Sequence, residues 1–135
     1  MDELRIGNRV YNAYGNLQLL DNPFREQVVV HRADSEATRR QNRELWLYTA
    51  ANGGVLVSPF ISPAEKAIRA EAESLGARII LVSPEPFCER YKPAVHDFQL
   101  CEQGRLLIVS SPTDCCELDR AHCLAMNSLA STIAA

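Results

Sequence analysis

Residues 53–83 read GGVLVSPFISPAEKAIRAEAESLGARIILVS, and their pattern indicates the fold class. This stretch contains two short apolar runs, Val55–Val57 and Ile79–Val82, in which apolar residues do not alternate with polar ones. Strands of this kind are buried on both faces, as in a parallel sheet covered by helices. Between the two runs, Ser62 and Glu65 have the spacing of a capping box, and an amphipathic run of helical period follows. The stretch therefore predicts a β-α-β unit.

The same pattern continues on both sides of this unit. Apolar runs at 27–31 and 105–110 predict two more strands, and segments 35–51, 95–104 and 118–133 predict three more helices. Strands that alternate with helices form an α/β fold. We expect a doubly wound, mostly parallel sheet of four strands or slightly more, with helices on both faces.

Length and composition indicate one globular domain. The chain has 135 residues, of which 47% are hydrophobic and 23% are charged. We expect a single domain over residues 1–135, with 1–25 as an N-terminal arm or edge element. No apolar run approaches the roughly 18 residues that span a bilayer, and no signal sequence is visible, so we expect a cytoplasmic protein without a membrane partner.

Cysteine usage and glycine usage exclude several chemistries. The five cysteines are an odd number in a chain without an export signal, which argues against a disulfide framework. Cys115, Cys116, His122 and Cys123 are close in sequence, but two adjacent cysteines do not readily point at one tetrahedral ion, so we expect no metal. The glycine-rich turns of dinucleotide and P-loop sites are absent, and we expect no cofactor and no catalytic residue.

Candidate ligand-binding residues follow from the fold class. In doubly wound sheets ligands bind outside the carboxyl ends of the strands, where the strand order reverses. The predicted strands end at His31, Ser58, Ser83 and Ser110. In the usual strand order 3-2-1-4, the first strand lies beside the fourth, and the strand order reverses between these two. The residues at this point are His31 and Arg32 after the first strand, and Ser110 and Ser111 after the fourth.

Cationic side chains are the groups available to hold an anion there. The net charge is -3, so nucleic acid would have to bind a local basic patch. The predicted helix starts carry Asp34 and Glu65, which would repel a phosphate, so side chains must supply the contacts. Arg32 at a strand end, and Arg90 with Lys92 on either side of a tyrosine in a proline-rich loop, are the candidates.

Several elements resemble the Rossmann-like domain of the Smf/DprA family of DNA-processing proteins. The resemblance lies in the order of strand, turn, alanine-rich helix, strand, Tyr-Pro loop, helix and strand, at Val55–Ser62, Ala67–Ala72, Gly76, Ile79–Val82, Tyr91–Pro93 and Leu100–Leu107. It implies binding of single-stranded DNA, with Arg32 as the counterpart of the family's turn arginine and Lys92 in the Tyr-Pro loop. Backbone-mediated anion binding is not expected, since His31, Ser58 and Ser62 replace the family's turn glycines.

The favoured function is a non-enzymatic module that binds single-stranded DNA or a nucleotide at the strand carboxyl ends. Its predicted binding residues are His31, Arg32, Ser58, Ser62, Arg90, Lys92 and Ser110. Two alternatives stay open. One is a nucleotide-processing enzyme related to the phosphoribohydrolases, whose glycine-rich turn and catalytic acid have no match here. The other is a degenerate scaffold that acts by self-association as a homo-oligomer.

Overall fold

The structure is a computed structural model that describes residues 1–114 and 117–135. Two members of the cysteine cluster considered above, Cys115 and Cys116, lie outside the described residues. The elements in chain order are β1 Asp2–Ile6, β2 Arg9–Gly15, a 3-10 helix Leu17–Asp21, β3 Arg25–Gln27, α1 Glu36–Ala51, β4 Val55–Ser58, α2 Pro63–Ser74, β5 Arg78–Val82, α3 Val95–Glu102, β6 Leu106–Val109 and α4 Arg120–Ala134.

The strands form one mostly parallel sheet. Its order is β1-β2-β6-β5-β4-β3. The neighbours β3 and β4, β4 and β5, and β5 and β6 are all parallel, which confirms that the four predicted strands belong to one parallel sheet. The hairpin formed by β1 and β2 adds two antiparallel strands beside β6. The α/β class with a parallel sheet is therefore confirmed, and the sheet is larger than its parallel part.

The predicted strand order is wrong, and the doubly wound topology is not confirmed. The four parallel strands lie in the order of the chain, so β3 is an edge strand and β6 lies three places away from it. The antiparallel strand β2 occupies the far side of β6 and leaves β3 no place there. Right-handed crossovers that always advance in one direction do not reverse the winding. The expected reversal between His31 with Arg32 and Ser110 with Ser111 is therefore absent from the sheet.

Side chains on alternate strand positions belong to two core clusters. In β4, Val55 and Val57 pack in the cluster that contains Met126 of α4. Leu56, between them, packs in the other cluster, with Trp46 of α1 and residues of α2 and α3. Because successive strand side chains point to opposite faces, α4 covers one face and the three crossover helices cover the other. None of the helices in the described ranges is both long and apolar enough to cross a bilayer.

The first parallel strand is shorter than the sequence predicts and begins earlier. The apolar run 27–31 predicts a strand, but β3 spans Arg25–Gln27. The Val28 amide still donates to the carbonyl of Val57 at 2.9 Å, after which the Val30 amide donates to a carboxylate oxygen of Glu65 instead of to β4. A side chain from α2 thus ends the ladder, and residues 28–31 lead out of the sheet towards α1.

Candidate nucleic-acid interface

Arg32 lies at the tip of a turn between β3 and α1. The Asp34 amide donates to the His31 carbonyl at 3.1 Å, and the His31 amide donates to the Asp34 carboxylate at 2.9 Å. These two bonds close the turn, so the side chains of His31 and Arg32 face the solvent and both are exposed. Within the described residues, no hydrogen bond or ion pair engages the Arg32 guanidinium. It is therefore a cation free to bind a phosphate.

The backbone amides of the neighbouring turn are already occupied by Glu65. This side chain is 4% exposed, and one carboxylate oxygen accepts from the amides of Ile61 and Ser62 at 3.1 and 3.0 Å. The other oxygen accepts from the Val30 amide at 2.9 Å. A carboxylate is an anion, so the chain itself fills the place in which free amides would hold a phosphate. That side chains supply the anion contacts stays a prediction.

Ser58 and Ser62 act on the backbone of the β4–α2 turn. Ser58 is buried, and its hydroxyl accepts from the Phe60 amide at 3.0 Å. The Ser62 hydroxyl accepts from the Glu65 amide at 3.2 Å, which together with the Glu65 carboxylate completes the predicted capping box. Phe60 has φ +49°, a left-handed backbone that a non-glycine residue adopts at a cost of about 1 kcal/mol. Both serines are thus committed to holding a strained turn.

Ser110, at the end of β6, bonds to the hairpin strand β2. Its hydroxyl accepts from the Asn12 amide at 3.0 Å, and its own amide donates to the Asn12 carbonyl at 2.9 Å. The next residue, Ser111, has its hydroxyl 3.0 Å from Nε2 of His122, whose Nδ1 is 2.8 Å from the Glu117 carbonyl. Because a carbonyl only accepts, Nδ1 carries the proton and the hydroxyl donates to Nε2.

The contact between the Ser111 hydroxyl and the His122 imidazole is the one that a nucleophile makes with its general base, but both side chains are buried. Ser111 is 5% exposed and His122 is 2% exposed, so both are shielded from a substrate. The Ser111 hydroxyl also accepts from the Thr113 amide at 3.1 Å. The pair therefore fastens the loop after β6 to the first turn of α4.

Arg90 and Lys92 flank a tyrosine that is packed against the protein. The Tyr91 ring stacks on Phe87 with centroids 3.8 Å apart, and its edge meets Tyr14 of β2 at 5.9 Å. Tyr91 is therefore an anchor of the loop and is not a free platform for a base. Both cations beside it are exposed, and no partner engages either of them in the part of the chain that the structure describes.

The structure does not bring all the predicted cations together. Arg32 follows β3, whereas the Tyr91 loop packs on β2, four strands away in the sheet. At about 4.8 Å per strand, the two strands are about 19 Å apart. Ser58, Ser62 and Ser110 lie between them, occupied as described. The predicted residues thus form a band across the sheet from β3 to β2 and not a compact pocket.

Burial near the Tyr91 loop raises two pKa values. It raises the pKa of the Tyr91 hydroxyl to about 12, with the negative charge of Asp97 as the next cause. It raises the pKa of the Cys101 thiol to about 11, again with Asp97 next. Both groups are therefore protonated at neutral pH, and Cys101 is a poor nucleophile there. In the described chain, Cys88, Cys101 and Cys123 are free thiols.

Sequence reasoning missed Lys66, which lies in the middle of this band. It is exposed on the first turns of α2 and lines a cavity of about 260 Å³ with Pro59, Phe60 and Pro84, residues that follow β4 and β5. Its place after the Ser62–Glu65 capping box is the signal that could have found it, because the box fixes the start of α2 at the strand ends. Lys66 therefore stands between Arg32 and the Tyr91 loop.

Other arginines are engaged by the protein. Arg43 pairs with Glu71, and Arg69 contacts Glu73 at 3.0 Å and Asp97 at 2.6 Å. Arg39, on the first turn of α1, donates to the His31 carbonyl at 3.2 Å and so braces the turn that presents Arg32. The arginines of α1 and α2 therefore serve mainly as structural links beside the band.

Comparison with solved structures identifies the fold. DNA processing protein A from Helicobacter pylori, described for its single-stranded DNA binding mode, superposes with a TM-score of 0.62 over 97% of this chain, at 19% sequence identity. The chain shares the fold of DNA processing protein A. The same protein from Streptococcus pneumoniae superposes with a TM-score of 0.59 over 92% of this chain, at 21% identity.

The likeness to DNA processing protein A covers only part of those proteins. This chain spans 60% of the Helicobacter pylori protein and 43% of the Streptococcus pneumoniae protein. No protein-family model and no curated protein matches the sequence. The resemblance predicted from the order of elements is thus confirmed at the level of the fold.

Proposed function

We propose that this protein binds single-stranded DNA along the carboxyl edge of its parallel strands, without enzymatic activity. The observation that carries the proposal is Arg32, an exposed guanidinium without a partner among residues 1–114 and 117–135, presented by a closed turn on the fold of DNA processing protein A. Lys66, Arg90 and Lys92 are further exposed cations of the band that crosses the sheet from β3 to β2. Phosphates would contact these side chains in turn.

The hydrogen bonds that Glu65 accepts from backbone amides explain why side chains make the phosphate contacts in this proposal. A phosphate at the β4–α2 turn would have to displace a carboxylate that accepts from three backbone amides. That exchange would leave Glu65 as a buried charge without its donors, which is costly. Phosphate contacts through guanidinium and ammonium groups carry no such cost, because these groups already face water.

The proposal predicts weak binding that depends strongly on salt. A few phosphate contacts on a chain of net charge -3 give modest affinity. We expect Arg32→Ala to weaken binding of a labelled single-stranded oligonucleotide about tenfold at low salt, since one charge-assisted contact is removed. Fluorescence anisotropy of the oligonucleotide measures this.

The matched control is Arg5→Ala. Arg5 is an exposed arginine on β1, the edge strand farthest from β3, so the substitution makes the same change in net charge elsewhere. We expect Arg5→Ala to weaken binding less than Arg32→Ala does. Equal losses in the two variants would mean that only net charge matters, and no binding at low salt would favour the scaffold hypothesis.

A further inference from the structure

Two exposed aromatic rings flank an apolar slot at the amino edge of the parallel strands, opposite Arg32. Phe24, just before β3, is 69% exposed, and Tyr48, on the last turn of α1, is 68% exposed. The cavity beside them has a volume of about 200 Å³, with Thr49 and Gly54 in its wall. Two such rings beside one slot form a local apolar surface of the kind that ligand-binding grooves present.

A wider polar cleft continues from this slot. It has a volume of about 740 Å³ and shares Phe24 and Asn52 with the slot. Gln18, Asp21 and Arg78 also line it, and all three side chains are exposed. We call the slot and the cleft together the amino-edge groove. It combines an apolar slot with one cation and with amides that both donate and accept hydrogen bonds.

The backbone around the amino-edge groove is fixed before any ligand binds. The Phe24 carbonyl accepts from the Val55 amide at 2.7 Å, so the first residue of β4 holds the chain that carries the ring. The Asn52 side chain donates to the Tyr48 carbonyl at 2.8 Å. A Cβ on Gly54 would lie 2.4 Å from Cγ2 of Thr49, which shows how closely the wall is packed. Such support keeps a binding site in one geometry.

We propose that the amino-edge groove binds a nucleotide, with the base in the slot beside Phe24 and Tyr48 and the phosphate at Arg78. Every base offers a π-face to an aromatic ring, and amide side chains match the donor and acceptor edges of bases. Asn52 lines both the slot and the cleft, and Gln18 lines the cleft. The single guanidinium, with Asp21 on the same cleft, suits one phosphate and disfavours a polyphosphate.

The dimensions of the slot favour a planar ring over a protein partner. A cavity of about 200 Å³ admits one ring system and is too small for the face of a helix. Two kinds of ligand would present such a nucleotide: a free mononucleotide, or single-stranded DNA that places one of its nucleotides in the groove. The inference does not rest on binding at the carboxyl edge, since none of its residues belongs to that band.

The experiment titrates the full ¹⁵N-labelled chain with deoxyadenosine monophosphate and follows the backbone amides. We expect saturable shifts at Asn52, Gly53 and Gly54, weaker ones with deoxyadenosine, and none with inorganic phosphate. Tyr48→Ala should weaken binding about fivefold or more through lost stacking, whereas Tyr48→Phe should not.

Charge variants test the place of the phosphate. Arg78→Ala should reduce affinity for the monophosphate to that for deoxyadenosine. Asp21→Asn should raise affinity for the monophosphate about twofold, because a repelling charge is removed, and leave deoxyadenosine unchanged. Both residues are exposed, so folding should be preserved, which a thermal melt checks.

Arg32→Ala separates this inference from the function proposed above, because it should leave the nucleotide titration unchanged. Titration with a short oligonucleotide distinguishes the two kinds of ligand. If the oligonucleotide shifts the same amides, the groove binds single-stranded DNA; if only the mononucleotide shifts them, the groove binds a free nucleotide. The inference is overturned if the mononucleotide gives no saturable shift at Asn52 to Gly54, if inorganic phosphate reproduces the shifts, or if Tyr48→Ala binds normally.

Discussion

Gly15 ends β2 in a backbone conformation and a space that exclude a side chain. Its φ is +115°, and a Cβ there would lie 2.3 Å from the Leu106 carbonyl oxygen. The Asn16 amide donates to that same carbonyl at 3.0 Å, so the oxygen is held in place. The strain of the φ angle and the clash therefore act together.

We expect Gly15→Ala to lower the free energy of unfolding by about 3 kcal/mol. Gly7→Ala is the matched control, because Gly7 also has a positive φ, of +61°, but nothing lies within 4 Å of its Cβ position. That variant should lose only about 1 kcal/mol. Urea unfolding followed by Trp46 fluorescence measures both, since Trp46 is buried. Similar losses would show that backbone strain, and not the contact with Leu106, decides the cost.

At the scale of elements, local signals predicted the helices better than the first strand. Ser62 caps α2 as the capping box predicts, because a cap depends on residues a few positions apart. The predicted segment 35–51 likewise matches α1, which spans Glu36–Ala51. The apolar run 27–31 is misleading, since its end is decided by Glu65, 35 residues beyond Val30. No local pattern reports that contact. The same contact occupies the amides of the candidate site, so the sequence could not show how they are satisfied.

Glu65 should therefore contribute more to stability than an ordinary capping-box acid. Glu65→Ala leaves three amide donors without their acceptor, those of Val30, Ile61 and Ser62, and we expect a loss of about 3 kcal/mol. Ser62→Ala removes only the cap and should cost about 1 kcal/mol. Urea unfolding of the two variants gives the comparison. If Glu65→Ala lowers the free energy of unfolding less than Ser62→Ala does, the three hydrogen bonds to the Glu65 carboxylate do not stabilise the fold as inferred.

At the scale of the molecule, strand order decides which residues share a site. Each crossover was visible in the sequence, but the direction in which the strands advance was not. The β1–β2 hairpin settles it, because β2 pairs with β6 and closes that side of the parallel strands. Sparse apolar positions and scattered glycines hid this hairpin in the sequence. The predicted residues consequently spread across the sheet from β3 to β2, and the exposed rings of Phe24 and Tyr48 at the amino edge went unpredicted.

Because the cations lie far apart, we expect their contributions to DNA binding to be additive. Arg32 follows β3 and Lys92 lies in the loop packed on β2, about 19 Å away by strand spacing. Sites that far apart with no shared partner contribute independently. For single-stranded DNA, each phosphate contact contributes about 0.7 to the slope of log affinity against log salt concentration. We expect Arg32→Ala and Lys92→Ala each to reduce the slope by about 0.7, and the double variant to reduce it by about 1.4.

Anisotropy titrations of one labelled oligonucleotide across a series of salt concentrations give these slopes. The control is the double variant Arg5→Ala with Arg9→Ala, which removes two charges from the β1–β2 hairpin and should reduce the slope by less than the double variant of Arg32 and Lys92 does. An oligonucleotide that contacts both Arg32 and Lys92 loses both contacts in the double variant. The slope of log affinity against log salt concentration must then fall by the sum of the single effects. If the double variant instead matches Arg32→Ala alone, the strand does not reach the Tyr91 loop, and the interface is confined to the end of β3 and the start of α2.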